Sequence, residues 1–111
     1  MTDCIFCKII NGEIPTTFLY QDDQIVSFKD IRPKADVHIL VVPRQHIKSL
    51  AEINVSHSQL LSHLIASLPK IAQAAGLCNG FRAIINTGPG GGQEIDHLHI
   101  HIIGGKKLIA F

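Results

Sequence analysis

At 111 residues the chain has the length of one domain, enough to bury about two-thirds of its unfolded surface without covalent staples. An apolar fraction of 46% against 17% charged residues excludes a disordered chain. A net charge of +1 with no basic block leaves no footprint for a nucleic acid, although a small nucleotide needs only local donors. No long apolar run follows basic residues at the N-terminus and no stretch approaches ~18 apolar residues, so neither secretion nor a membrane span is expected. Three cysteines, an odd number, argue against a disulfide framework and for a reducing compartment. The expectation is a soluble cytoplasmic domain over residues 1–111.

Residues 4–11 read as a short helix stopped by Gly12. Pro15 breaks the chain before a short strand at 18–20, Gln21-Asp22-Asp23 supplies turn chemistry, and 25–28 is the return strand of a hairpin. Asp30-Ile31-Arg32-Pro33 is a loop, and a central strand at 37–42 ends at Pro43. A helical turn is expected at 49–53. Ser56 caps a longer helix with the apolar set Leu60, Leu61, Leu64, Ile65, Leu68, Ile71 and Ala75, kinked or broken at Pro69 and stopped at Gly76. A strand at 81–86, a glycine-rich loop at 87–93 and a last strand at 95–103 follow, with Gly104-Gly105 leading into a short tail. Hairpins with one long helix between strands predict an α+β fold on an antiparallel sheet.

The last strand carries the chemistry. His97-Leu98-His99-Ile100-His101-Ile102 alternates imidazole with aliphatic side chains, so a strand here stacks three rings on one face, ~6.6–6.8 Å apart. Imidazole is nucleophile and acid–base near neutral pH, which suits attack at phosphorus with neighbouring rings holding oxygens or protonating a leaving group. A three-histidine metal site and a polar face open to water are the alternatives. Upstream, Thr87-Gly88-Pro89-Gly90-Gly91-Gly92-Gln93 lets main-chain N–H groups approach an anion. It matches neither the P-loop nor the dinucleotide fingerprint.

The run His97-Leu98-His99-Ile100-His101-Ile102-Ile103 resembles the signature of the histidine-triad (HIT) superfamily. The likeness extends, in order and spacing, through Ile5-Phe6-Cys7-Lys8-Ile9-Ile10, Phe28-Lys29-Asp30-Ile31, the stretch from His38 to Ile47, Asn86 and Gly91-Gly92-Gln93, all similar to the HINT branch. The resemblance implies a HIT-like fold: an antiparallel sheet of about five strands with one short N-terminal helix and one long helix. It implies a homodimeric hydrolase that cleaves purine nucleoside 5′-phosphoramidates or related adenylyl conjugates. By the same resemblance His99 is the nucleophile, forming a nucleotidyl-imidazole, and His101 contacts the phosphate or assists the leaving group. Asn86, Gly92 and Gln93 match phosphate-side positions. Phe6, Ile9, Phe28, Ile31 and Leu40 match base-lining ones, and Asp30 matches the ribose-binding carboxylate. His38 fits support of the triad from behind, or a buried core histidine. A nucleotide-sensing module with little catalysis is the alternative function, which Glu94 leaves open by replacing a phosphate-binding serine of some relatives. Asp96 replaces an aromatic residue, and the short tail carries no Trp.

Cys4 and Cys7, three apart on a short helix, suggest a metal, with half-buried packing thiols as the other reading. Two further ligands are needed, and His46 and His97 complete the Cys2His2 structural zinc set used by zinc-bearing members of the superfamily. Cys78 is expected to pack at a helix end. His57 and His63 carry no assigned role.

Overall fold

The computed structural model describes residues 3–110. Its centre is a five-stranded antiparallel sheet with strand order β1-β2-β3-β5-β4. The strands are β1 (Tyr20–Gln21), β2 (Ile25–Lys29), β3 (Val37–Pro43), β4 (Arg82–Ile84) and β5 (Ile100–Gly104). A short helix α1 (Ile5–Ile10) precedes them, and a long helix α2 (Ser58–Ala74) links β3 to β4. Among the described residues, no helix is long and apolar enough to cross a membrane.

Two-residue periodicity divides the strands between two cores. Ile25, Ile39, Val41, Ile100 and Ile102 face α2, where Leu60, Leu64, Leu68, Ile71 and Ala72 cover them. Val26, Phe28, Leu40 and Val42 point the other way and pack with Phe6 and Ile9 of α1. Strand β3 is therefore buried on both faces and reads as a continuous apolar run. Its neighbour β5 places His101 opposite Leu40 and Ile103 opposite His38, on the α1 side. The functional residues thus share a face with α1 while α2 supports the sheet from behind.

Helix α2 is pinned to the β1–β2 turn by one carboxylate. Asp22 accepts the amides of Gln24 and Ile25, the Tyr20 hydroxyl at 2.8 Å and His63 Nε2 at 2.7 Å. Partial burial pushes this carboxyl up, but the bonds from Gln24, Ile25, Tyr20 and His63 outweigh it and hold Asp22 well below the usual carboxylate range.

Several elements differ from the sequence reading. Helix α2 runs unbroken through Pro69. The carbonyl deprived of a donor there is that of Ile65, which is 52% exposed and so open to water; Ile65 is not a core residue. Asn54, rather than Ser56, provides the cap ahead of α2, accepting the Ser56 amide and starting a 3₁₀ turn over Val55–His57. Phe18 and Leu19 lie outside β1, although the Leu19 amide still donates to Ser27. Strand β4 is half the expected length, and Cys78 is exposed rather than packed. The largest correction concerns the histidine segment. Regular pairing begins only at Ile100, after a bend at 95–97 that brings His97 to Cys4 and His46.

Candidate functional site

His97 is wholly buried and sits in a bend ahead of β5. Its Nε2 lies 2.8 Å from the Pro43 carbonyl, which only accepts, so the ring proton resides on Nε2. Burial drives the His97 pKa down and keeps the ring neutral, leaving a bare lone pair on Nδ1. That lone pair lies 3.3 Å from Cys4 Sγ, 3.7 Å from Cys7 Sγ and 3.2 Å from His46 Nδ1. Cys7 Sγ is also 3.3 Å from His46 Nδ1. Tetrahedral coordination with ligand bonds of ~2.0–2.3 Å separates its ligands by ~3.3–3.8 Å, and these spacings fall in or beside that range. Cys4 caps α1, and its sulfur accepts the Cys7 amide at 3.3 Å. Burial and the neighbouring Cys4 raise the Cys7 thiol, and binding of a cation would displace its proton. Cys4, Cys7, His46 and His97 form a group that can hold a metal ion.

The His97 carbonyl serves a second ring. His99 Nδ1 donates to it at 2.6 Å, so whenever the ring carries a single proton its Nε2 keeps the lone pair. Phe6 stands edge-on to both rings, with centroids 5.1 Å from His99 and 5.9 Å from His97, and fixes the direction in which His99 presents that lone pair.

A third chain of bonds orders His101. The Lys34 amide donates to His38 Nδ1 at 3.0 Å, so the proton of a neutral His38 lies on Nε2. His38 Nε2 donates to His101 Nδ1 at 2.9 Å, with Asp30 Oδ2 at 3.4 Å. His101 then carries its proton on Nε2. Among the described residues, neither His99 Nε2 nor His101 Nε2 meets a protein partner within hydrogen-bond reach. The arrangement pairs an unprotonated nitrogen with a protonated one, in rings whose centroids are 5.0 Å apart. Burial depresses both His38 and His101, the latter to about 4, with His99 and His38 adding to the effect on His101.

Both rings line a cavity of about 430 Å3, a size ordinary for a small-molecule site. Phe6, Asp30, His38, Leu40, Asn86 and Gly92 also line it. Four other positions matched by the resemblance are elsewhere. Ile9 and Phe28 are buried in the α1 core, and Ile31 is 90% exposed on the β2–β3 loop. Gln93 braces the glycine loop: its amide bonds the carbonyls of Lys48 and Ile95 and accepts the Gly88 N–H. Asn86 bonds the Gly91 carbonyl and so holds the same loop from the other side. The sequence reading missed Lys34, Arg82, Ile84 and the tail residues Leu108–Ala110, all of which line the cavity. Arg82 and Ile84 on β4 alternate in step with Asn86 just beyond it, a period-2 signal that could have revealed the first two.

The His101 shift has a consequence for stability. Its folded pKa lies below the ordinary value of 6.5, so between pH 6.5 and about 4 the unfolded chain binds the extra proton and stability falls as pH falls. Below about 4 both states are protonated and this contribution stops changing. Denaturant titrations from pH 7 to 4.5 should show His101→Gln losing about 1–2 kcal/mol less stability than wild type, after allowing for the ring's partial exposure. Equal losses would contradict the assigned environment.

A family model described as scavenger mRNA decapping enzyme C-term binding matches residues 3–109. The chain is 51% identical over 104 residues to Protein HitA of Neisseria gonorrhoeae, covering 94% of this chain and 97% of that one. It is 42% identical over 107 residues to the purine nucleoside phosphoramidase of Escherichia coli K12, covering 96% and 90%. Its identity to the 14 kDa zinc-binding protein of Brassica juncea is 42% over 108 residues, covering 96% of each. A histidine triad protein structure from Clostridium difficile superposes with a TM-score of 0.93 at 49% identity, covering 100% of this chain and 97% of that one. With the fold and the full run of matched residues in agreement, the chain belongs to the histidine-triad superfamily, in its HINT-like branch.

Proposed function

We propose that the protein hydrolyses purine nucleoside 5′-phosphoramidates, or related adenylyl conjugates, through a covalent nucleotidyl-His99 intermediate. The observation that carries this reading is the placement of two adjacent rings, His99 with Nδ1 bonded to the His97 carbonyl and His101 with Nδ1 bonded to His38, which assigns a lone pair to His99 Nε2 and a proton to His101 Nε2. The name of the Escherichia coli relative points to the same substrate class.

In the first step His99 Nε2 attacks phosphorus and the P–N bond breaks. The electron pair of that bond goes to the departing nitrogen, which takes up a proton from solvent and leaves as an amine, while the Nε2–H of the neutral His101 ring donates a hydrogen bond to it. The nucleotidyl-His99 ring is then cationic, stabilised by the His97 carbonyl at Nδ1. In the second step water attacks phosphorus, its proton passes to solvent, and the nucleotide leaves with the new oxygen while His99 Nε2 regains its lone pair. His38 is a positioning residue that fixes the His101 tautomer. Asp30, beside His38, accepts the ribose hydroxyls, while Phe6 and Leu40 provide the apolar wall for the base. The wild type should release AMP from adenosine 5′-phosphoramidate and yield an acid-labile nucleotidyl adduct on rapid quenching. His99→Gly should lose turnover by on the order of 10³-fold or more, together with the adduct. Normal turnover by that variant overturns the reading, and tight AMP binding without turnover by the wild type supports a sensing module instead.

Cys4, Cys7, His46 and His97 hold a structural zinc ion in this proposal, supported by their spacing and by the bare Nδ1 of His97. The ion ties α1 and the β3–α2 connection to the segment that presents His99. A homodimer also belongs to this proposal, and the open edge of β4, where Ala83 is exposed, supports it. Freshly purified, untagged protein should carry about one equivalent of zinc. Cys7→Ser should retain well under half an equivalent and melt several degrees lower. A wild-type content well below half an equivalent by elemental analysis overturns the zinc site.

A further inference from the structure

Two free thiols meet at the start of α1, and the hydrolytic steps make no use of them. Cys4 caps the helix, and its sulfur accepts the Cys7 amide at 3.3 Å. That bond holds the Cys4 sulfur over the first turn, on the side from which Cys7 projects. The two sulfurs lie within 4.8 Å of each other. A disulfide requires ~2.05 Å between sulfurs, a gap that side-chain rotation can close while the turn stays in place. Cys-x2-Cys pairs of this kind support metal binding and dithiol–disulfide chemistry alike.

An oxidant has a route to this pair. Cys4 is 8% exposed, yet with His46 it lines a cavity of about 360 Å3. Asp3, Glu94 and Asp96 line the same cavity, and the hydrolytic mechanism gives none of them a role. A water molecule takes up about 30 Å3 of liquid, so the space is ample for a molecule of a few heavy atoms. Carboxylates on the wall disfavour an anion there. Hydrogen peroxide is small and uncharged and meets both conditions. Cys7 is half-buried beside Cys4, whereas Cys78 is exposed in the loop that follows α2.

We propose that Cys4 and Cys7 form a peroxide-sensitive dithiol, whose oxidation to a disulfide discharges the metal from the Cys–His group. Cys4, which lines the cavity, reacts first. Its sulfur attacks one peroxide oxygen, the O–O bond breaks, and the departing hydroxide takes the thiol proton to leave as water. The Cys7 sulfur then attacks the Cys4 sulfenic acid. The S–S bond forms, the S–O bond breaks, and the released hydroxide takes the Cys7 proton as a second water. Two thiols lose two electrons and one peroxide becomes two waters. In the metal-loaded protein both sulfurs are already deprotonated, and solvent supplies the two protons. A disulfide has no thiolate to offer a cation, so His46 and His97 alone remain, too few to retain it. Zinc enters here only through the site proposed above, and closure of the pair needs no metal.

The test uses the full chain with Cys78→Ser, so that the exposed third thiol cannot exchange with the pair. Protein as purified, and the same protein stripped by a chelator, are each treated with hydrogen peroxide. Each is then alkylated in denaturant without reductant and mapped by mass spectrometry, while a chromogenic chelator reads the metal released. In both samples the peptide holding Cys4 and Cys7 should lose both alkylations and about two mass units. The purified sample should also release about one equivalent of zinc per chain. Dithiothreitol should restore both thiols, and added zinc should then rebind. Thiols that stay open to alkylation, or that pass to sulfinic acid without a disulfide, overturn the dithiol whatever the metal content. Closure with the metal retained overturns its discharge. Closure in protein that binds no zinc supports the dithiol and overturns the zinc site instead.

Discussion

The buried imidazole of His97 and its own carbonyl are committed in three directions, and the geometry of the site follows from those commitments. The ring has no contact with water, so each of its nitrogens must be satisfied by protein. Nε2–H is taken by Pro43 at the end of β3, which turns Nδ1 towards Cys4, Cys7 and His46. The carbonyl of the same residue takes the Nδ1 proton of His99. One residue thus links a metal-binding group to the protonation state of the neighbouring ring, without any long-range mechanism. The bend at 95–97 joins the Cys–His group to the segment that presents His99.

The two-faced sheet makes this arrangement affordable in stability terms. Buried polar rings contribute little net stability once they exchange water for protein partners. The apolar face of β2, β3 and β5 against α2 supplies the main driving force, with Leu64, Ile71, Ile100 and Ile102 almost wholly buried there. The opposite face can then carry four histidines, His38, His97, His99 and His101, among Phe6, Phe28 and Leu40. Phe6 belongs both to the α1 core and to the cavity wall, so α1 is part of the site as well as its support.

The alternation of Leu98, Ile100 and Ile102 with the histidines was sufficient to read which side chains face α2. The Cys-x2-Cys spacing and the isolated His46 were equally visible. What the pattern could not show was that strand pairing stops at Ile100. A period of two is compatible with a strand throughout, and the competing pull on His97 comes from residues more than fifty positions away. The expected break at Pro69 is absent for a related reason. The cost of proline in a helix depends on whether the carbonyl it strands is buried, and Ile65 is at the surface. The tail was opaque because its contact with Arg82 uses a main-chain carbonyl, which leaves no mark on residue type. Ile9, Phe28 and Ile31 show the converse: residues can match a family pattern while lying in the core or out in solvent in the free chain.

The central claim is that main-chain groups dictate where each ring proton sits. Long-range ¹H–¹⁵N correlation spectra of histidine-labelled protein near pH 7 observe those protons directly. The account predicts His99 protonated at Nδ1 with a bare Nε2, His97 and His38 protonated at Nε2, and His101 protonated at Nε2. A spectrum showing His99 protonated at Nε2 with Nδ1 bare would contradict it, because that ring could then neither donate to the His97 carbonyl nor attack phosphorus.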